Sequence, residues 1–529
     1  MPTLHWIGKD KVINHHLAVP FRVLDHGYGF TNGKLGSAET NSGNKIIHGD
    51  NLEALKALLP EYEGKIKCIY IDPPYNTGNE GWVYNDNVND PKLKKWLHEV
   101  VGKEGEDLSR HDKWLCMMYP RLKLLHKLLA DDGAIFISID DNEHTYLKLA
   151  CDEIFGSRNY VSSFIWRRRT SSQMSQNNIS VDHEYVVTYF KSQSTKFFGV
   201  KKDYKNYSNP DNDPKGQWTL GDLTVGMPKD QRPNQFFDLI NPKNGEIFKP
   251  NSKRVWTYAP DTMKEKIKEG RVVFPKGSTG RPMLKRYLSD LKSDINPFST
   301  WMSNDAYGIG LNSEGTKTIQ QLFEGKVFDY PKPISLVQQL ISQIASGQDI
   351  VLDSFAGSGT TAHAVLNLNK EDGGNRKFIL IEMEPYAETI TAERVKRVIN
   401  GYADKEATGG AFDYYTLGQP LFTEDGNLNE AVPLKELRQY IFYTETQQPL
   451  PDAKKGKDNP YLLGLHNQTA YYFVFEPGQT TTLDHELLAT IRTKAEQYII
   501  YADNCTLTKE FLTLSAISFK KIPRDITRF

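Results

Sequence analysis

The sequence predicts an α/β protein built on a doubly wound, mostly parallel sheet, and three observations predict it. Short, almost continuously apolar runs at 66–71, 134–139, 350–353 and 378–382 alternate with stretches of helical period. That is the pattern of parallel strands covered by helices on both faces. The alternation occurs twice, over 45–162 and 331–402, on either side of a region rich in Asn, Pro, Gly, Lys and aromatic residues. Finally, a glycine-rich turn lies where a strand at 350–353 runs into a helix at 360–368, the place where open α/β sheets bind ligands.

Taken in order, residues 1–44 read as an irregular arm, with a Gly/Asn/Ser-rich linker at 31–44. A strand at 45–48 precedes a helix at 51–59 that Pro60 ends, and a buried strand follows at 66–71. An amphipathic helix is expected at 112–129, then a strand at 134–139, a helix at 143–155 and a strand at 185–190. The region 163–330 breaks the rhythm, with only short strand-like pieces such as 271–274. Alternation resumes with a helix at 334–344, the strand–turn–helix at 350–368, a strand at 378–382 and a helix at 387–400. A small α/β region closes the chain, strand-like at 470–475 and 498–502 and helical at 485–495. The expected organisation is an arm (1–44), a first half-sheet (45–162), an inserted region (163–330), a second half-sheet (331–402) and a C-terminal accessory region (403–529).

Composition narrows the function classes. The 529 residues have a mean hydropathy of −0.55 and no apolar run near the ~18 residues of a membrane span. The first twenty residues carry His, Lys and Asp and no apolar secretion segment. Four cysteines (Cys68, Cys116, Cys151, Cys505) fit neither a zinc spacing nor a disulfide scaffold, so a cytoplasmic protein without a metal is expected. The net charge of −1 hides a split: 163–330 carries 26 Lys and Arg against 18 Asp and Glu, a net of +8. Such a region suits an anionic partner, although a solvated basic face has the same composition.

The turn reads Asp353-Ser354-Phe355-Ala356-Gly357-Ser358-Gly359-Thr360-Thr361. Gly357 and Gly359 permit positive φ and close backbone approach. Glu382 ends the next strand, twenty-three residues after Gly359, where a carboxylate grips a ribose diol. The spacing fits neither the three-glycine dinucleotide pattern nor a P-loop ending in Gly-Lys-Ser/Thr. Asp353 beside the turn favours a cationic ligand, and S-adenosylmethionine carries both an ammonium and a sulfonium. A plain strand–turn–helix that needs its glycines for packing is the alternative.

The second motif, Cys68-Ile69-Tyr70-Ile71-Asp72-Pro73-Pro74-Tyr75-Asn76, runs from a buried strand into a turn stiffened by two prolines. The Asp72 carboxylate and the Pro73 carbonyl suit the two N–H groups of an exocyclic amine, whose nitrogen lone pair they would free. Tyr75 offers a stacking face for the ring. A turn capped by Asp is the alternative.

Together, Asp72-Pro73-Pro74-Tyr75 and Phe355-Ala356-Gly357-Ser358-Gly359 resemble the amino-methyltransferases of DNA. Having the tetrapeptide first and the cofactor loop last is similar to the circularly permuted β group. Further matches are His48-Gly49-Asp50-Asn51-Leu52, Trp114-Leu115, Arg121-Leu122, Phe136-Ile137-Ser138-Ile139-Asp140-Asp141 and Lys332-Pro333. The likeness points to the Mod subunits of type III restriction-modification systems and related adenine-specific enzymes. It implies a sheet of the S-adenosylmethionine-dependent methyltransferase type and, from Asp72, N6 of adenine as target. It also implies a homodimer, double-stranded DNA as substrate and a restriction subunit as partner.

Carried over residue by residue, Asp72, Pro73, Pro74 and Tyr75 would be catalytic. Phe355, Gly357 and Gly359 would wall the methionine half of the cofactor, Asp353 its ammonium, Glu382 its ribose and Asp50 its adenine. Lys332 would meet the methionine carboxylate. Asp50 serves equally as a helix N-cap, and Lys332 equally as a solvated lysine.

The target amine lies inside the duplex, so the base must be flipped out. The basic insertion, with clusters at Arg167-Arg168-Arg169 and at Arg281, Lys285 and Arg286, is the expected DNA-recognition region, each single residue being as well a surface charge. The polar stretch 76–107, bearing Trp82 and Tyr84, is expected to close over the base. Alternatives are cytosine-N4 methylation by the same machinery and a catalytically idle DNA-recognition subunit.

Overall fold

The computed structural model describes residues 3–77, 110–171, 178–275, 280–451 and 459–523. It divides into two compact units, Met1–Phe197 with Ser299–Phe529, and Phe198–Phe298.

The larger unit is organised by one eleven-stranded sheet. Its strands are β1 (Arg22–Thr31), β2 (Lys34–Gly36), β3 (Lys45–His48), β4 (Ile66–Ile71), β5 (Leu129–Ile139), β6 (Tyr160–Arg167), β7 (His183–Phe190), β8 (Trp301–Met302), β9 (Ile350–Asp353), β10 (Lys377–Glu382) and β11 (Ala411–Pro420). They lie in the order β8-β6-β7-β5-β4-β9-β10-β3-β11-β1-β2. The centre, from β5 through β4, β9, β10 and β3 to β11, is parallel throughout. Its helices are α1 (Asn51–Tyr62), α2 (Arg110–Leu128), α3 (His144–Cys151), α4 (Ile334–Ser342), α5 (Thr360–Asp372) and α6 (Glu393–Asn400). Ile69, Ile71, Ile135, Ile137, Leu352 and Ile381 of the sheet pack with Leu55 and Leu58 of α1 and Trp114 and Leu125 of α2 in one buried core. Burying such side chains contributes roughly 1.5–3 kcal/mol each.

This register places the site. Cys68 and Ile69 of β4 pair with Val351 and Leu352 of β9, two strands far apart in sequence and pointing the same way. Their C-terminal ends, and the turns that follow, therefore emerge side by side.

Several boundaries differ from expectation. The arm is not irregular: β1 pairs antiparallel with β11, and thereby joins the chain's beginning to residues beyond 403. Gly27 and Gly29 interrupt its pattern in the sequence, where the stretch reads as part of an irregular arm. At Gly29 a Cβ would lie 2.5 Å from the Ala38 carbonyl, so the glycine marks a close backbone approach within a strand. Pro60 does not end α1, because Leu59, Pro60 and Tyr62 are all buried and packing outweighs the missing hydrogen bond. The inserted unit is narrower than 163–330. Phe164, Trp166, Val186 and Val187 are buried in the β6–β7 pair, and that pair extends the sheet antiparallel at its edge.

The smaller unit carries a three-stranded sheet of Val272–Val273, Met283–Tyr287 and Trp218–Asp222, with helix Pro260–Lys268. Leu223, Leu239, Phe248, Trp256, Met263 and Leu284 form its core. In the larger unit, α7 (Leu434–Thr446) packs beside a four-stranded sheet of β12 (Leu462–His466), β13 (Thr469–Phe473), β14 (Gln497–Ala502) and β15 (Ile517–Lys521). None of the helices among the described residues is long and apolar enough to cross a membrane.

Candidate active site

The turns after β4 and β9 open onto one cavity of about 560 Å³, within the range of small-molecule sites. Asp72, Pro73 and Tyr75 line it from the first turn, and Asp353, Phe355 and Gly357 from the second. The two sequence motifs thus meet, as their placement at neighbouring strand ends requires.

On the first side, the prolines stiffen the turn, and the Trp114 indole N–H of α2 donates to the Pro74 carbonyl at 2.6 Å. Tyr75 is half-buried, and its hydroxyl donates to Glu184 Oε2 at 3.1 Å. Lys332, at the entrance to α4, donates to both oxygens of Asp72, at 2.8 and 2.7 Å. Its Nζ also lies 3.7 Å from Glu184 Oε2 and 4.8 Å from the centre of the Tyr75 ring. Arg168 donates to the other Glu184 oxygen at 3.0 Å. Asp72, Lys332, Glu184 and Arg168 form an alternating chain of charges. Burial raises the Asp72 carboxyl above the ordinary aspartate range, and Lys332 opposes that rise. Burial also works against the Lys332 ammonium, but Asp72 and Glu184 outweigh it and hold the lysine above its ordinary value.

On the second side, Asp353 is buried. Its Oδ1 accepts the Phe355 N–H at 3.0 Å and its Oδ2 the Thr361 hydroxyl at 2.5 Å. Burial pushes its carboxyl up to about 7. Gly357 has φ 53° and its N–H donates to Glu382 Oε2 at 2.8 Å. Gly359 has φ 81°, caps α5, and approaches Thr391 so closely that a Cβ would lie 3.1 Å from the Thr391 carbonyl. From behind, the fully buried Arg394 of α6 donates to the Ser358 and Thr360 hydroxyls, both at 2.8 Å. The turn is therefore preorganised by its own chain.

Some expected site residues have other partners. Lys332 meets Asp72 and Glu184, so it pairs with the carboxylate of the first motif; only a geometric register, invisible in sequence, brings 72 and 332 together. Glu382 accepts from the Gly357 and Glu384 N–H groups and is absent from the cavity lining, so it shapes the turn; burial lifts it to about 7. Asp50 caps α1, accepting from the Leu52 and Glu53 N–H groups at 2.9 and 3.1 Å, and lies outside the lining, as does Gly359. Of the basic residues, Arg168 is held by Glu184 and Arg169 lies 3.7 Å from Asp182, while Lys285 is buried against Asp211 and Asp213. Arg281 and Arg286 are exposed in the smaller unit. Residues 78–107 of the expected closing loop, with Trp82 and Tyr84, lie outside the described residues. Glu184 was not foreseen. Its signal was an acid at a buried position of a strand rich in aromatic and β-branched residues. Among the described residues no group of side chains is arranged to hold a metal.

A family model described as DNA methylase matches residues 66–393, a span that contains both motifs and the whole cavity. The type III restriction-modification enzyme StyLTI Mod subunit of Salmonella typhimurium is 38% identical over 362 residues, covering 65% of this chain and 53% of that protein. The EcoP15I Mod subunit of Escherichia coli is 34% identical, covering 65% and 59%. The type II methyltransferase M.KpnI of Klebsiella pneumoniae is 34% identical, covering 65% and 81%. The chain thus spans about half to three-fifths of the two Mod subunits' length.

Proposed function

The chain belongs to the DNA methylase family, and from that premise we propose that it transfers a methyl group from S-adenosylmethionine to N6 of an adenine flipped out of duplex DNA. One observation carries this above the others: Asp72, Pro73 and Tyr75 of the tetrapeptide and Asp353, Phe355 and Gly357 of the turn line the same cavity, while Pro74 lies outside the lining.

The donor set fits the cofactor. Asp353 supplies negative charge for an ammonium, Phe355 an apolar wall, and Gly357 a stretch of backbone with no Cβ to block approach. When bound, S-adenosylmethionine supplies an electrophilic methyl on a cationic sulfur. The chain's own residues do the rest. Tyr75 offers its ring for stacking, worth ~1–3 kcal/mol per base. Asp72 accepts from the amine, which favours the nitrogen geometry whose lone pair is free to attack. Asp72 at the head of the tetrapeptide supports adenine over cytosine. The Mod-subunit relatives support a role as the modification component of a restriction-modification system, working with a restriction subunit; the chain would act as a cytoplasmic homodimer. The unit Phe198–Phe298, with 19 Lys and Arg against 12 Asp and Glu, supplies the charge expected of the DNA-recognition region.

The test is nucleoside analysis of duplex DNA incubated with the protein and S-adenosylmethionine. N6-methyladenine is the expected product. N4-methylcytosine would overturn the adenine assignment, and unmodified DNA the activity itself.

A further inference from the structure

We propose that Lys332 is a displaceable counter-ion of Asp72, which passes to Glu184 when a target base takes its seat. The proposal rests on the reading of this cavity as an amine-methylating site and deepens it. A base in that seat would make two contacts, one from its amine to the Asp72 carboxylate and one from its ring to the face of Tyr75. In the structure Lys332 makes both. Its ammonium donates to Asp72 Oδ1 and Oδ2 at 2.8 and 2.7 Å, and lies 4.8 Å from the centre of the Tyr75 ring. Amine and ammonium therefore compete for one place.

A neutral amine displaces a buried ammonium only if that ammonium finds another anion, because an unpaired buried charge is costly. Glu184 is that anion. Its Oε2 lies 3.7 Å from Nζ, a shift of about one ångström from hydrogen-bonding distance. It is also held in place, Oε1 by Arg168 at 3.0 Å and Oε2 by the Tyr75 hydroxyl at 3.1 Å. Lysine suits the transfer, with a flexible stem and three rotatable donors. The move keeps the ammonium paired, and Asp72 exchanges its counter-ion for an N–H of the amine. It leaves Asp72 ionised and ready to accept from the amine. The charged and titratable groups around the pair are Tyr70 and Tyr75 from β4 and its turn, Glu184 from β7, Arg168 after β6, Asp140 after β5 and Asp353 from β9. Lys332 and Glu184 are thus positioning residues that act through Asp72.

The test combines two variants and two readouts: methyl transfer to duplex DNA as a function of pH, and S-adenosylmethionine binding by calorimetry without DNA. Lys332→Met removes the cation beside Asp72, so the acid limb of kcat/KM moves up by about one pH unit, with cofactor affinity kept within about twofold. Glu184→Gln removes an anion, so the limb moves down. It also strands Lys332 on Asp72, and KM for DNA rises about tenfold while kcat changes less. Lys332→Arg, which keeps the charge, restores the limb and controls for misfolding. Limbs that move together or stay in place would overturn the proposal. So would a tenfold loss of cofactor affinity in Lys332→Met, which would make Lys332 a ligand of the cofactor carboxylate. If the wild-type protein binds S-adenosylmethionine but methylates no DNA, the underlying function fails and takes this inference with it. An active wild type with unmoved limbs defeats the inference alone.

Discussion

Asp72 and Tyr75 derive their chemistry from neighbours distant in sequence. The tetrapeptide itself, its rigid prolines and its aromatic ring were legible in the chain, because each follows from residue type. The ion chain through Lys332, Glu184 and Arg168 was not, since it depends on β4, β7 and the entrance to α4 converging. That convergence changes what a Tyr75 substitution does. Tyr75→Phe keeps the ring but loses the hydroxyl's bond to Glu184, and should lower kcat/KM for DNA by no more than about 10- to 150-fold, a hydrogen bond to a charged group being worth ~1.5–3 kcal/mol. Tyr75→Ala should lose about a further ten- to hundredfold, because stacking is removed. Equal losses in the two variants would show that stacking on Tyr75 contributes nothing.

At the scale of elements, β4 and β9 begin and end where their apolar runs do, because a strand buried on both faces is written continuously in sequence. Strand β1 was hidden because its glycines serve close approach to a neighbouring backbone. The β9–turn–α5 element carries a pH signature. Asp353 titrates near 7 in the folded protein against an ordinary 3.8, through burial, and Glu382 near 7 against 4.5. A raised carboxyl means that the folded state binds the proton more tightly. The stability this contributes is complete below about pH 4 and is lost as pH rises through 7. Asp353→Asn keeps an acceptor for the Phe355 N–H and cannot ionise. Its Tm should therefore gain on the wild type as pH is raised across that window, as differential scanning calorimetry would show. A Tm difference independent of pH would mean that Asp353 is not a raised, buried acid.

At the scale of the whole molecule, the two half-sheets flanking a basic insertion were legible, because alternation and charge are sums over many residues. The insertion's limits were not, since β6 and β7 look like any short strands until their pairing is seen. Within the smaller unit Lys285 is neutralised by Asp211 and Asp213, whereas Arg281 and Arg286 remain exposed. DNA affinity should fall steeply with salt. Replacing Arg281 and Arg286 by Gln should lower the slope of log affinity against log salt by about one for each phosphate left unneutralised, and Lys285→Gln should leave the slope unchanged. A flat salt response in the wild type would remove this unit from the DNA interface. In the proposed function, one cavity holds an extruded adenine on Asp72 and the methyl donor on the Asp353–Gly357 turn. The most direct test is single-turnover methyl transfer by Asp72→Ala, with cofactor binding measured on the same sample. Binding retained with transfer abolished is the predicted result, and transfer at the wild-type rate would contradict it.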